Sequence, residues 1–281
     1  MHHHHSGQGN SAGQKPRRSA GLSAALLALI CALSLFSGLA QAEGGSEKVL
    51  DGKVIVNVGG NIFPSRLPRT TRAPIQVLME AGITTTDKSI PPELKEILLD
   101  INSHGVMQTQ GLGTCSLGEL EAVSRSTALH VCGGALIGHG NVSTHIALPG
   151  QGAFASSGLL EAFNARLHGR PAILAQVTSE RPLPLTFVIR FEVKKSHGTY
   201  GTDLIGTVPP IASGYGEITG IDLSLSRTYS HAGHKLSVLS ANCPAPKGFN
   251  SVSFPFAKTS FGFADNTKAQ ITLTRRCTVR G

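Results

Sequence analysis

The sequence predicts an all-β protein, an antiparallel β-sandwich of the jelly-roll kind with one short helix and two disulfides. Its 33 glycines, 15 prolines and 11 phenylalanines, with no tryptophan, suit a chain of strands and turns. Apolar and polar residues alternate along several short runs, as expected where one face of each strand is buried. Regular short strands separated by glycine and proline indicate a sandwich or a barrel.

The first 42 residues predict a cleaved signal peptide ahead of the β domain. Three basic residues at positions 15, 17 and 18 precede an uncharged apolar run over residues 22–39, and Ala40-Gln41-Ala42 fits the cleavage pattern. Cleavage there makes Glu43 the first mature residue. An uncleaved signal anchor is the alternative, because the apolar run approaches the length of a membrane span. The histidines at positions 2–5, native or a tag, leave with the leader.

Length and charge predict one domain over residues 43–281 and argue against nucleic acid as a partner. The formal net charge of +8 includes the basic residues of the leader. Lys and Arg do not cluster as they do in proteins that follow a phosphate backbone. A domain boundary near residues 115–134 is the alternative. No membrane span is expected in the mature chain.

Four cysteines remain after the leader is removed, and an even number in an exported chain predicts disulfides. Three pairings are possible, and proximity in sequence favours Cys115–Cys132 and Cys243–Cys277. The absence of C-x-x-C spacing disfavours a metal site. These cysteines and the leader predict an extracellular or cell-envelope protein.

Alternating strands are expected along the chain after the leader, with an extended lead-in around residues 64–74. The clearest alternation is in residues 185–193, where Leu185, Phe187, Ile189, Phe191 and Val193 share one face. Similar patterns occur in Val54/Val56/Val58, Ile75/Val77/Met79, Ile221/Leu223/Leu225, Phe254/Phe256, Phe261/Phe263 and Ala269/Ile271/Leu273. Cys277 continues the inward phase of the last run and could therefore reach a core-facing Cys243.

Turn and helix signals complete the pattern. Residues 230–234 and Asp265-Asn266 predict hairpin tips. Ser116 and Glu119 form a capping-box sequence, which predicts a short helix inside the Cys115–Cys132 loop. Residues 94–101 fit a helical face and an alternating strand equally well.

Several short sequence motifs together resemble those of an uncharacterised family of exported bacterial β-rich proteins. They are Arg72-Ala73-Pro74-Ile75, Ala162-Phe163-Asn164, residues 169–175 (GRPAILA), residues 243–249 (CPAPKGF), residues 254–257 (FPFA) and residues 261–265 (FGFAD). The resemblance spans residues 66–280. It implies export, a shared fold and a strand at residues 94–102, but no activity and no functional residue.

Candidate catalytic groups are scattered. Ser213 lies in the sequence ASGYG, which is not the nucleophile elbow G-x-S-x-G. His231 and His234 are close in sequence, and His139 and His145 could share a strand face. The carboxylates that could pair across a cleft are Glu80, Glu161, Glu192, Asp203, Glu217 and Asp222. Tyr200, Tyr215 and Tyr229 are weak candidates for sugar contacts. No catalytic, cofactor or metal residue is assigned.

Two function hypotheses follow. The first is a non-catalytic exported protein that binds a protein or an envelope component, with rigid strands presenting the contact residues. The second is an exported hydrolase that cleaves envelope glycan with a carboxylate pair, which requires two carboxylates about 5–10 Å apart in one cleft. A third possibility, a barrel around a hydrophobic ligand, requires a cavity of several hundred cubic ångströms, roughly as in known ligand pockets.

Overall fold

The computed structural model describes residues 45–280 and confirms the all-β prediction: of these residues, 61% are strand and 7% helical. The predicted signal peptide lies outside the described residues. The strands are β1 Glu47–Asp51, β2 Val54–Phe63, β3 Arg66–Leu67, β4 Ala73–Pro74, β5 Gln76–Thr85, β6 Leu94–Asn102, β7 Gly105–Met107, β8 Leu136–Ile146, β9 Phe154–Leu167, β10 Arg170–Ser179, β11 Leu185–Lys195, β12 Tyr200–Thr207, β13 Gly216–Leu225, β14 Thr228–His231, β15 His234–Ser237, β16 Leu239–Ala241, β17 Ser251–Phe263 and β18 Lys268–Val279.

Thirteen of these strands form one continuous sheet in the order β1-β2-β5-β13-β8-β9-β10-β11-β12-β6-β17-β18-β3. All neighbours are antiparallel except β18 and β3. The sheet curls into a half-barrel, so the two separate sheets of the predicted sandwich are not confirmed. Irregular register in the β8–β9, β13–β8 and β17–β18 ladders favours this curl, because a bulge bends its strand and increases its twist.

Two small sheets accompany the curled sheet. One has the order β4-β16-β7 and the other is the hairpin β14-β15. The predicted tip at residues 230–234 is confirmed: Ala232 and Gly233 both have positive φ between the opposed His231 and His234. This is the backbone that a two-residue hairpin turn requires. The ambiguous segment is confirmed as strand β6.

The main core fills the concave side of the curled sheet. It contains the predicted inward residues of β2, β5, β17 and β18, with Val56 and Leu273 fully buried. Cys243 and Cys277 are bonded to each other inside this core, as the inward phase of β18 predicts. Arg275 continues the same phase and is also buried, at 6% exposure.

A second, smaller core lies on the opposite face of the sheet, beneath a helical flap (residues 115–135). Its fully buried members include Leu120 from the flap, Phe163 from β9 and Leu174 from β10. Because β9 and β10 are covered on both faces here, residues 160–165 and 172–177 are buried without alternation. The flap is closed by the predicted Cys115–Cys132 disulfide.

The predicted short helix inside the Cys115–Cys132 loop is confirmed, but it begins later than the capping-box sequence indicates. Ser116 and Glu119 do form the capping box, but it begins a 3-10 turn, Leu117–Glu119. The chain then passes through Ala122, whose φ is positive at 56°. The α-helix α1, Arg125–Cys132, begins later and is capped by the Ser124 side chain. The left-handed residue interrupts helical geometry, which the sequence spacing could not reveal.

Candidate functional site

A straight row of side chains crosses the outer face of the sheet next to the helical flap. Register places them directly opposite one another on six neighbouring strands, from β5 through β13, β8, β9 and β10 to β11. This outer-face row consists of Glu80, Asp222, Asn141, Leu159, Thr178 and Thr186. At the usual spacing between strands it spans roughly 24 Å.

Two open grooves adjoin along this row. The larger, of about 550 Å³, is lined by Leu159 and Thr178, with one wall at Ser124 and Arg125 of the flap and another at the β10–β11 turn. The smaller, of about 340 Å³, contains Glu80, Asp222 and His139. Asn141 lines both grooves, so the two lie next to each other along the row.

The row offers mainly side-chain chemistry. Five of its six positions are paired with both neighbouring strands, so their backbone N–H and C=O groups are already used in the ladders, whereas Thr186 is paired only with β10. The side-chain groups on offer are an amide, two threonine hydroxyls, two carboxylates and the isobutyl group of Leu159, which is 47% exposed.

Among the predicted carboxylates, the structure brings Glu80 and Asp222 directly opposite each other. Both are exposed, and within residues 45–280 neither forms a salt bridge. Like charges opposite each other weaken a ladder unless water or a ligand separates them. This pair therefore lies in a groove but is open to solvent.

Glu217 has the opposite properties. Burial, with added repulsion from Glu93, raises the pKa of Glu217 to about 7, although Lys95 partly opposes the change. Lys95 Nζ lies 2.6 Å from Oε2 of Glu93. One carboxylate oxygen of each glutamate, Oε1 of Glu93 and Oε2 of Glu217, is buried without a hydrogen-bond partner. Neither glutamate lines either outer-face groove.

Two of the three remaining predicted acids have basic partners. Glu161 is 3% exposed, and its Oε1 accepts from Nε of Arg125 at 2.6 Å, which ties α1 to β9. Glu192 lies 3.6 Å from Lys194 on a partly exposed strand face, as its alternation predicts. Asp203 lies in β12 opposite Asp100.

The predicted histidine pairs do not converge with acids on a single point. His139 and His145 share the outer face of β8, as predicted, where His139 lies opposite Glu161 and His145 opposite Glu217. His231 and His234 face each other at the β14–β15 tip. Ser213 lies in an exposed turn with a left-handed φ of 58°.

Two further predictions concern ligand pockets. Tyr200 begins β12 beside Lys258, Tyr215 precedes β13, and the hydroxyl of Tyr229 donates to the carbonyl of Gln110 at 2.9 Å.

The enclosed apolar cavity beside Phe254 and Phe256 has a volume of about 50 Å³. That volume admits a water or two and is far below what a lipid ligand needs.

Gln176, which fastens the helical flap, was not predicted from the sequence. This fully buried amide donates from Nε2 to the carbonyls of Leu120 and Val123, at 2.8 and 3.1 Å. Asn164 adds a hydrogen bond to the carbonyl of Gly113 at 2.7 Å. The available signal was a polar residue inside the apolar run of residues 172–177.

Comparisons with protein-family models, curated proteins and solved structures find no match to this chain. The two disulfides are typical of proteins that fold in an oxidising compartment. In residues 45–280, no helix has both the length and the apolarity required to cross a bilayer.

Proposed function

We propose that this chain is an exported, non-catalytic binding protein that holds an extended polysaccharide of the cell envelope along the outer-face row. The observation that carries the proposal is the alignment of the row with two adjoining grooves across six strands. A rigid sheet stapled by disulfides keeps such a surface in shape without a ligand, which lowers the entropy loss on binding.

Side-chain chemistry supports a polysaccharide over a peptide. An extended peptide gains most of its affinity by adding a strand to a free sheet edge, and five of the six row positions lie in the interior of the sheet. Sugar hydroxyls, in contrast, pair with amides, hydroxyls and carboxylates, which are the groups of Asn141, Thr178, Thr186 and Asp222. Leu159 supplies an apolar contact for a sugar face in the middle of the row.

Binding is favoured over hydrolysis because neither acid pair meets both requirements of a glycosidase. Glu80 and Asp222 lie in a groove but are exposed. Glu217 has the raised pKa of a general acid, yet it lies outside the grooves together with Glu93. A glycosidase needs a protonated acid and a second carboxylate on the two sides of one bound sugar.

The proposal is tested by isothermal titration calorimetry, which measures the heat of binding. The ligands are oligosaccharides of increasing length from three classes: neutral, amino-containing and acidic. We expect affinity to rise with length until the grooves are filled. The double substitution Asn141→Ala/Thr178→Ala should weaken binding roughly thirtyfold, since each of the two net hydrogen bonds contributes about 1 kcal/mol.

The matched control is Gln270→Ala/Thr272→Ala, which removes an exposed amide and an exposed threonine from β18, away from the grooves. It should leave binding unchanged. Equal losses in both double variants, or no binding by any oligosaccharide, would contradict the proposal.

The alternative remains a glycan hydrolase, and the raised pKa of Glu217 beside Glu93 is the observation that favours it. Release of reducing ends from the same oligosaccharides separates the two functions. A hydrolase predicts turnover that Glu217→Gln abolishes, whereas a binding protein predicts no turnover by the unaltered chain.

A further inference from the structure

Three segments that are far apart in the chain meet at the end of β18 and form a basic surface. The segments are residues 63–72, 242–253 and 274–280, and none of them contains Asp or Glu. Strand β3 of the first segment pairs with the end of β18, and the Cys243–Cys277 disulfide joins the second segment to the third. The cations of this basic surface are Arg66, Arg69, Lys247, Arg276 and Arg280.

Three of these arginines lie on the same side of the sheet. Arg276 in β18 and Arg280 just after it are exposed, in the opposite phase to the buried Cys277. Arg66 is the register partner of Thr278, which lies between them in the same outward phase. Within residues 45–280, none of the three arginines forms a salt bridge. Their permanent positive charges are therefore available to an anionic partner.

A tight turn holds Lys247 and a phenylalanine beside these arginines. The amide of Phe249 donates to the carbonyl of Pro246 at 3.1 Å, and Gly248 supplies the positive φ, 88°, that such a turn favours. Arg69 fastens the turn by donating from Nη2 to the carbonyl of Phe249 at 3.0 Å and from Nη1 to the carbonyl of Pro246. The turn is thus fixed through its backbone, which leaves the ring of Phe249 free.

Phe249 is the most exposed large apolar side chain in residues 45–280, at 63%. Its neighbour Asn250 accepts through the backbone carbonyl from the amide of Val279 at 2.7 Å, which places the turn next to Arg280. Lys247, two residues before Phe249, is also exposed. An aromatic ring flanked by cations suits a bilayer surface with anionic lipids, because phosphates attract the cations while the ring enters the headgroup boundary. A soluble polyanion would attract the cations but would offer the ring no apolar environment.

We propose that the basic surface and the ring of Phe249 bind the anionic lipid surface of a membrane, peripherally and reversibly. Cations and ring act together: the charges concentrate the protein at the bilayer, and the ring adds an apolar contact once it arrives. None of these residues lines either outer-face groove. Membrane binding is therefore a property additional to glycan binding and independent of it.

Co-sedimentation with vesicles tests the inference. The protein used is residues 43–281, which contain every strand and both cores described above, so the apolar run of residues 22–39 cannot itself bind lipid. Vesicles of phosphatidylcholine mixed with phosphatidylglycerol are compared with vesicles of pure phosphatidylcholine. We expect binding to the mixed vesicles alone, weakened by added salt. Arg66→Gln/Arg280→Gln should weaken it roughly thirtyfold, at about fivefold for each cation.

Matched controls separate this surface from general effects of charge and apolarity. Arg166→Gln/Arg170→Gln removes two exposed cations from the β9–β10 hairpin and should leave vesicle binding unchanged. Phe249→Ser should weaken binding roughly tenfold, because the ring loses its apolar contact. Val131→Ser, at an exposed position of α1, should have no effect.

A fluorescent probe tests insertion of the ring directly. The chain contains no tryptophan, so Phe249→Trp places a single indole at the turn. Its emission should shift to shorter wavelength with the mixed vesicles, and it should stay unchanged with pure phosphatidylcholine or with soluble polyphosphate.

The row variant Asn141→Ala/Thr178→Ala should bind vesicles as the unaltered chain does, so loss of membrane binding and loss of glycan binding are distinguishable. The inference fails if mixed and pure vesicles bind the protein equally or not at all, if the controls weaken binding as much as the test variants, or if the tryptophan emission does not shift. Loss of binding in the arginine double variant but not in Phe249→Ser would point to a soluble polyanion and would also overturn it.

Discussion

Single buried polar residues decide where the helical flap is fastened. Gln176 satisfies the carbonyls of Leu120 and Val123, and these have no helical partner because the chain turns at Ala122. Removing the donor from a buried carbonyl lowers the stability of the folded protein by about 1–3 kcal/mol. The flap is therefore held by one buried amide in addition to its apolar contacts.

We predict that Gln176→Met, which keeps the volume but removes both donors, lowers the free energy of unfolding by about 2–3 kcal/mol. Urea unfolding followed by circular dichroism measures this difference. Gln270→Met, at an exposed amide in β18, should change it by less than about 0.5 kcal/mol. An effect of Gln176→Met no larger than that of the control would show that the hydrogen bonds do not hold the flap.

The sequence alone predicts the pairing of the cysteines but not the roles of the buried polar residues Gln176 and Glu161. Cys243 and Cys277 could be paired from sequence, because the inward phase of β18 points one sulfur at the core. Gln176 reads as an interruption of an apolar run until the flap that covers it is known. The same holds for Glu161, whose burial depends on Arg125 arriving from α1.

At the scale of elements, the helical flap forms one wall of the larger groove. Ser124 and Arg125 stand at its edge, and the Cys115–Cys132 disulfide closes the loop that presents them. In the loop-entropy description, a crosslink over 17 residues stabilises the fold by about 3 kcal/mol.

We predict that Cys115→Ala/Cys132→Ala lowers the free energy of unfolding by roughly 2–3 kcal/mol and exposes residues 116–131 to protease. Limited proteolysis with mass spectrometry measures the second effect. Cys243→Ala/Cys277→Ala should destabilise at least as much, because its loop spans 34 residues, without selective cleavage in the flap. Identical cleavage patterns in the two variants would contradict a local role for the first disulfide.

Strand existence was more predictable than the way the strands associate. Alternation located β11, β13 and β18, because burial of one face imposes a period of two. It could not distinguish two stacked sheets from one curled sheet, since both bury the same inward residues. The bulges that favour the curl have no signature in the pattern.

For the whole molecule, the curl also brings the two ends of the sheet together. Arg275 of β18 donates from Nη1 to Glu47 of β1 at 2.8 Å and from Nη2 to the carbonyl of Gly45 at 2.8 Å. The alternation along β18 predicts that Arg275 is buried. The sequence does not indicate that Glu47 of β1 is its partner. The outer-face row was likewise unpredictable, because it depends on register across six strands.

The most direct test of the central claim, that the outer-face row holds an extended glycan, is the footprint of a bound oligosaccharide. Backbone amide shifts should be recorded by NMR as the tightest-binding oligosaccharide is added. The account predicts that the largest changes fall along the row, at Asp222, Asn141, Leu159 and Thr178, with little change in β17 and β18. Changes centred on the β14–β15 tip, or on the β12–β13 connection, would contradict it.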